Sequence, residues 1–148
     1  KRSSLESEID LYLEYIKSLS IIKEFTNIFF KPHPSSHENK INSILKNLDS
    51  KYQNNQSIKI LKEIANIPLE ILVDLLLNFN NKLKIYLPIC SSGSFATLLL
   101  YPKHIYPLKA FGKILIEKYI YKEYINSRLI QEKSIRKNMK QLGLNFIN

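Results

Sequence analysis

A histidine set between two prolines, Lys31-Pro32-His33-Pro34, follows the apolar run Asn27-Ile28-Phe29-Phe30 and precedes Ser35-Ser36-His37-Glu38. The run has the composition of a short strand buried on both faces of a parallel sheet. Ser35 as N-cap with Glu38 three positions on makes a capping box, and Ile41, Ile44, Leu45, Leu48 and Tyr52 continue at helical spacing. The order is strand, tight loop, helix. In open α/β sheets the loops at the carboxyl ends of strands hold ligands, and the first N–H groups of the next helix favour phosphate. An imidazole at that corner can donate to a phosphate oxygen or protonate a leaving group.

Two further groups suit other parts of a nucleotide. Glu70 lies in the first turn of a helix that starts near Pro68, where its carboxylate can accept from a ribose diol. Ser91-Ser92, in the third strand-to-helix loop, offer hydroxyls beside helix N–H groups that suit phosphate. Each has a plainer reading: a loop histidine, an acid favoured by the helix dipole, and ordinary caps. His37 and His104 are weaker candidates, and Lys31 reads as a solvated side chain that could add charge near a phosphate. Cys90, with no partner base in view, reads as a small buried apolar residue, and Tyr119, Tyr121 and Tyr124 as packing residues on a helix.

The elements that must position these residues alternate. A first helix is predicted over 4–20, opened by Ser3 and Glu6, with Leu5, Ile9, Tyr12, Leu13, Ile16 and Leu19 on its apolar face. A strand over 28–30, a helix over 37–52 and a strand over 57–61 follow. Pro68 fits the first turn of the next helix, whose buried face would carry Leu69, Leu72, Val73, Leu76 and Phe79 before Asn80-Asn81 stop it. Residues 84–87 read as a third strand ended by Pro88, 91–94 as a polar loop into a helix over 95–100, and 103–108 as a last strand weakened by Pro102 and Pro107. From Gly112 to about 142 the pattern is helical, in two pieces, with Gly143 as stop. The alternation predicts a three-layer α/β/α sandwich with a mainly parallel sheet and a long C-terminal helical segment.

With 148 residues, 45% of them hydrophobic, the chain is long enough to bury one core and reads as one domain. The densest apolar segment, 67–79, is broken by Pro68, Glu70, Asp74 and Asn78, short of the roughly 18–20 apolar residues a bilayer span needs. One cysteine excludes an internal disulfide and a cysteine-based zinc site, and a cytoplasmic location is the expectation. The formal charge of +9 favours an anionic partner, and Arg128, Lys133, Arg136, Lys137 and Lys140 concentrate it near the C-terminus. Nucleic acid is not expected, since no zinc finger, RNA-recognition signature or Walker-type loop is present.

KPHP after an apolar strand, then IPLEIL, then SSGSFATLL resemble the nucleotide-binding half of bacterial sialyltransferases and polysialyltransferases, whose hallmarks are a His-Pro pair and a Ser-Ser motif. The capsule-linker Kdo transferases are similar at KPHP. The resemblance runs over roughly 28–100 and implies a GT-B glycosyltransferase, with this chain its Rossmann-like C-terminal half, binding a CMP-activated acidic sugar, CMP-sialic acid. It implies that His33 contacts the CMP phosphate and assists its departure, Pro34 fixes the loop, Glu70 holds the ribose, and Ser91 and Ser92 bind the phosphate. No cofactor or metal is implied. The acceptor would be a cell-surface glycan, lipooligosaccharide or capsular polysaccharide, and the enzyme peripheral on the inner face of a bacterial membrane through acidic lipid. The family's acidic catalytic base belongs to an N-terminal half, and none of the three glycines here follows an acidic pair. A non-catalytic nucleotide- or phosphate-binding module and a basic membrane- or partner-docking domain are the alternatives.

Overall fold

The computed structural model describes residues 2–19, 27–33, 36, 38–51, 57–61 and 63–147. The chain folds as two compact units, Lys1–Ile67 and Pro68–Asn148, each with its own strand pair and apolar cluster.

In the first unit, α1 (Leu5–Ser18) is capped one residue later than expected: the Ser4 hydroxyl, not that of Ser3, accepts from the Ser7 amide. Strand β1 (Asn27–Phe30) pairs in parallel with β2 (Ser57–Ile60), Asn27 opposite Ser57 and Phe30 opposite Ile60. Helix α2 (Glu38–Lys51) connects them. Ile9, Leu13 and Ile44 form the core, with Leu5, Tyr12, Ile16, Ile28 and Phe30 packed on it. The Tyr12 and Phe30 rings meet edge to face at 5.3 Å, and Lys40 Nζ pairs with Glu8 Oε2 at 2.8 Å, holding α2 to α1. The expectation that β1 is buried on both faces is corrected. Phe29 is 57% exposed, because the side chains of a strand alternate and only the Ile28 and Phe30 face meets the core.

In the second unit, α3 (Leu69–Phe79) begins after Pro68, which takes the N-cap position and not the first turn. Its buried stripe is narrower than predicted: Leu72 and Val73 are buried, whereas Leu76 is 40% and Phe79 94% exposed. Strand β3 (Ile85–Pro88) pairs in parallel with β4 (Ile105–Leu108), stacking Tyr86 on Tyr106 at 4.9 Å between ring centroids. Helix α4 (Ser92–Leu100) joins the strands. Pro107 lies inside β4, where its carbonyl accepts from Ile147 N at 2.8 Å. The expected helical segment is two helices, α5 (Gly112–Tyr119) and α6 (Lys122–Gln141), and Gly143 ends the second at φ 67° with Leu144 N donating to Met139 O. Ile135 and Met139 bring α6 onto Val73, Ile89, Leu98 and Ile105.

The protein is thus mixed α/β with parallel strand pairing, as the alternation predicts. The single sheet of a three-layer sandwich differs from what is seen. Among the described residues the strands pair two by two, β1 with β2 and β3 with β4. No described helix is long and apolar enough to cross a membrane.

Candidate functional site

The carboxyl end of β3 leads through Ile89 and Cys90 to Ser91, the N-cap of α4. Ser91 is extended (φ −145°, ψ 167°), and its hydroxyl accepts from Ser94 N at 3.2 Å. The Ser94 hydroxyl answers by accepting from the amides of Ser91 and Cys90, both at 3.0 Å, and can donate to the Ser91 carbonyl at 3.0 Å. Ser94 is buried, and sequence reasoning missed it. Its signal was the three-residue spacing from Ser91, with serine in the place where a capping box usually has Glu or Gln. Ser92 is exposed at the first helical position. The amides of Ser92 and Gly93 have no carbonyl one turn back within the helix to receive them, which leaves a built donor pair at the strand end.

Glu70 comes to the same place from α3. A β-carbon added at Gly93 would lie 3.7 Å from Glu70 Oε1 and 3.9 Å from Ser91 Oγ, so the carboxylate and the cap hydroxyl flank one glycine. Farther along α3, Asp74 Oδ1 accepts from the Tyr101 hydroxyl at 3.1 Å. The Tyr101 pKa is raised above its usual 10.0 by desolvation first, then by Asp74 and by the charge of Glu70. Three of the predicted residues, Glu70, Ser91 and Ser92, therefore belong to one end of the second unit.

His33 belongs to the first unit, three residues past Phe30 at the carboxyl end of β1. It is exposed, and its carbonyl accepts from Ser36 N at 2.9 Å. Pro34, Ser35 and His37 lie outside the described residues. Lys31 is not the solvated side chain expected, for its Nζ donates to the Ala65 carbonyl at 2.9 Å. His104 sits at the amino end of β4, its Nδ1 3.4 Å from the Leu83 carbonyl, away from the strand ends that carry Ser91. The tyrosines do not share one helix face: Tyr119 closes α5, Tyr121 caps α6 and Tyr124 lies within it.

Burial pushes the Cys90 thiol above its ordinary 9.0, while the Arg128 guanidinium pulls it partway back. Among the described residues no group of three His, Cys, Asp or Glu side chains is placed to hold a metal ion.

A protein-family model described as alpha-2,8-polysialyltransferase (POLYST) matches residues 2–113. The chain belongs to the alpha-2,8-polysialyltransferase family. No curated protein and no solved structure matches it. The region matched by the polysialyltransferase family includes the positions of His33, Glu70, Ser91 and Ser92 and ends just inside α5, so α6 lies beyond it. Membership puts the chain among the sialyltransferases, a class of glycosyltransferase.

Proposed function

We propose that the chain is the donor-binding part of a sialyltransferase-like enzyme. In this reading it is a GT-B-type, Rossmann-like half that holds CMP-sialic acid for transfer to a cell-surface glycan such as lipooligosaccharide or capsular polysaccharide. The observation that carries this reading is the pairing at Gly93, where Glu70 and the Ser91 cap converge at the start of α4. A nucleoside monophosphate presents a ribose diol and a phosphate a few bonds apart, the two groups that a carboxylate and a helix N-terminus take. Small size at position 93 lets a ligand approach the backbone closely. Family membership supports the same class of chemistry.

In this scheme the amides of Ser92 and Gly93 hold the phosphate while Glu70 fixes the ribose. The role proposed for His33 is to assist the departure of CMP. No metal or other cofactor takes part. The base that deprotonates the acceptor hydroxyl belongs to an N-terminal half of the enzyme. The exposed lysines 133, 137 and 140 of α6 give the enzyme a peripheral hold on acidic lipid at the inner face of the membrane.

Calorimetric titration with CMP, with UMP and AMP as controls, tests the reading. Charge-assisted hydrogen bonds to a diol contribute roughly 1.5–3 kcal/mol when shielded from water, so Glu70→Gln is expected to weaken CMP by about 10- to 100-fold and leave inorganic phosphate unchanged. His33→Ala is expected to weaken CMP more than cytidine. Equal CMP affinity in wild type and Glu70→Gln, with the fold intact by circular dichroism, would reduce this carboxylate to a residue favoured by the helix dipole.

A further inference from the structure

Arg128 carries a buried positive charge that its neighbours answer only in part. Its side chain is 10% exposed. Nη1 donates to Gln131 Oε1 at 2.9 Å, the guanidinium carbon lies 5.5 Å from the centre of the Phe111 ring, and Nη2 stands 3.9 Å from Glu132 Oε1, an ion pair longer than a hydrogen bond. The Glu132 side chain is 1% exposed, and its other oxygen, Oε2, accepts from Gly112 N at 3.2 Å and from Arg136 Nη2 at 3.1 Å. Arg128 Nε and Glu132 Oε1 are both buried with no hydrogen-bond partner among the described residues. Two guanidiniums thus share one carboxylate. Arg136, 56% exposed, keeps water on its charge, whereas Arg128 does not.

The charge sits where an anion would feel it. Glu132 and Ile89 line one cavity of about 90 Å³ at the carboxyl ends of β3 and β4. The Arg128 guanidinium reaches the next residue, Cys90, and pulls its thiol down against the effect of burial. Cys90 leads directly into Ser91, and the Ser94 hydroxyl accepts from the amides of both. Arg128 therefore stands behind the corner at which Ser91 caps α4 and the amides of Ser92 and Gly93 find no acceptor within the helix. A helix N-terminus in water attracts anions only weakly. A guanidinium held in the interior adds a unit charge that solvent and salt screen far less. Left unanswered it is costly, and an anion at the corner offsets that cost from outside.

We propose that Arg128 charges the anion site at the start of α4 from within the protein, and that Glu132 sets how much of that charge the site feels. Arg128 does not touch the ligand. It is a specificity-determining residue that favours a phosphorylated nucleoside over the unphosphorylated one, and Glu132 opposes it. The inference rests on the nucleotide reading above and deepens it by naming the source of that discrimination. Neutralising Arg128 and neutralising Glu132 change the charge in opposite directions, so their effects on an anion have opposite signs, whereas two losses of packing would have the same sign.

The test compares the 148-residue chain with its Arg128→Gln, Arg128→Lys and Glu132→Gln variants. CMP and cytidine are titrated by calorimetry, and inorganic phosphate is followed at the Ser92 and Gly93 amides by NMR. The ratio of CMP to cytidine affinity is the readout, since a structural fault lowers both together. Arg128→Gln is expected to lower the ratio about 5- to 20-fold, the effect of a unit charge beyond contact distance at an effective dielectric constant of about 20. Arg128→Lys keeps the charge and is expected to keep most of the ratio. Glu132→Gln, which retains an oxygen for the Gly112 amide, is expected to raise it by a similar factor. If Arg128→Gln does not fold, the rise in Glu132→Gln decides by itself. An unchanged ratio in Glu132→Gln, or equal losses of CMP and cytidine in Arg128→Gln, overturns the proposal. If the wild type binds no CMP, the nucleotide reading falls and phosphate decides the rest: binding at Ser92 and Gly93 that is weaker in Arg128→Gln and tighter in Glu132→Gln supports the proposal, and any other order, or no phosphate shifts, overturns it.

Discussion

Ser94 fixes the geometry of the β3–α4 corner more firmly than the two serines of the Ser-Ser motif. Its hydroxyl receives two backbone amides and sits buried, whereas Ser91 receives one and Ser92 points into solvent. Replacing Ser91 with alanine removes a cap and is expected to cost about 1 kcal/mol. Ser94→Ala strands the amide of Ser91, while Cys90 N keeps the Pro88 carbonyl at 3.1 Å, and is expected to cost about 1–3 kcal/mol, the loss for one unsatisfied buried donor. Urea unfolding midpoints decide the order; a larger loss in Ser91→Ala would refute this ranking. The placement of Glu70 in the first turn of α3 and of Ser91 at the start of α4 was legible because helix starts and strand ends announce themselves locally. Lys31 was not, since its acceptor is a carbonyl 34 residues away and no periodicity encodes so distant a bond.

Among the elements, α6 shows how a helix with a mostly polar sequence is held. Its buried line is Arg128, Glu132, Ile135 and Met139, so half of the contact side is charged and Met139 supplies much of the apolar grip at 1% exposure. Met139→Ala is expected to destabilise the protein by about 2–5 kcal/mol, against under about 0.5 kcal/mol for Ile130→Ala, whose side chain is 68% exposed. Differential scanning calorimetry of the two variants makes the comparison, and similar melting shifts would show that Met139 does not anchor the helix. Helices and strands were readable in order and nearly in extent. The faces were read less well. A period of 3.6 shows which residues share a side of α3, but not that the described sheet beneath it is two strands wide, so the exposure of Leu76 and Phe79 could not be foreseen.

At the scale of the molecule, strand alternation revealed the parallel α/β character, whereas partner choice between strands depends on contacts that no local window contains. On the proposed reading, a donor half holds the leaving group but leaves the acceptor hydroxyl unactivated. General-base assistance typically contributes about 10²–10⁴ in rate, and acceptor positioning adds a further large factor. The 148-residue chain is therefore expected to release CMP from CMP-sialic acid slowly by hydrolysis and to show no increase when a sialylated or galactose-terminated acceptor is added. Acceptor-dependent release at an ordinary enzymatic rate would mean that the base lies within this chain.

The bond from Gly112 N to Glu132 Oε2 crosses the border of the family-matched region, which ends at residue 113. Gly112 adopts φ 78°, a conformation that side chains disfavour, and its amide depends on a carboxylate from a helix outside that border. Chimaeras between homologues joined after residue 113 would separate these partners. A recombinant that keeps this turn must therefore inherit α6 with it, or bring in a replacement helix carrying an acid in register with position 132.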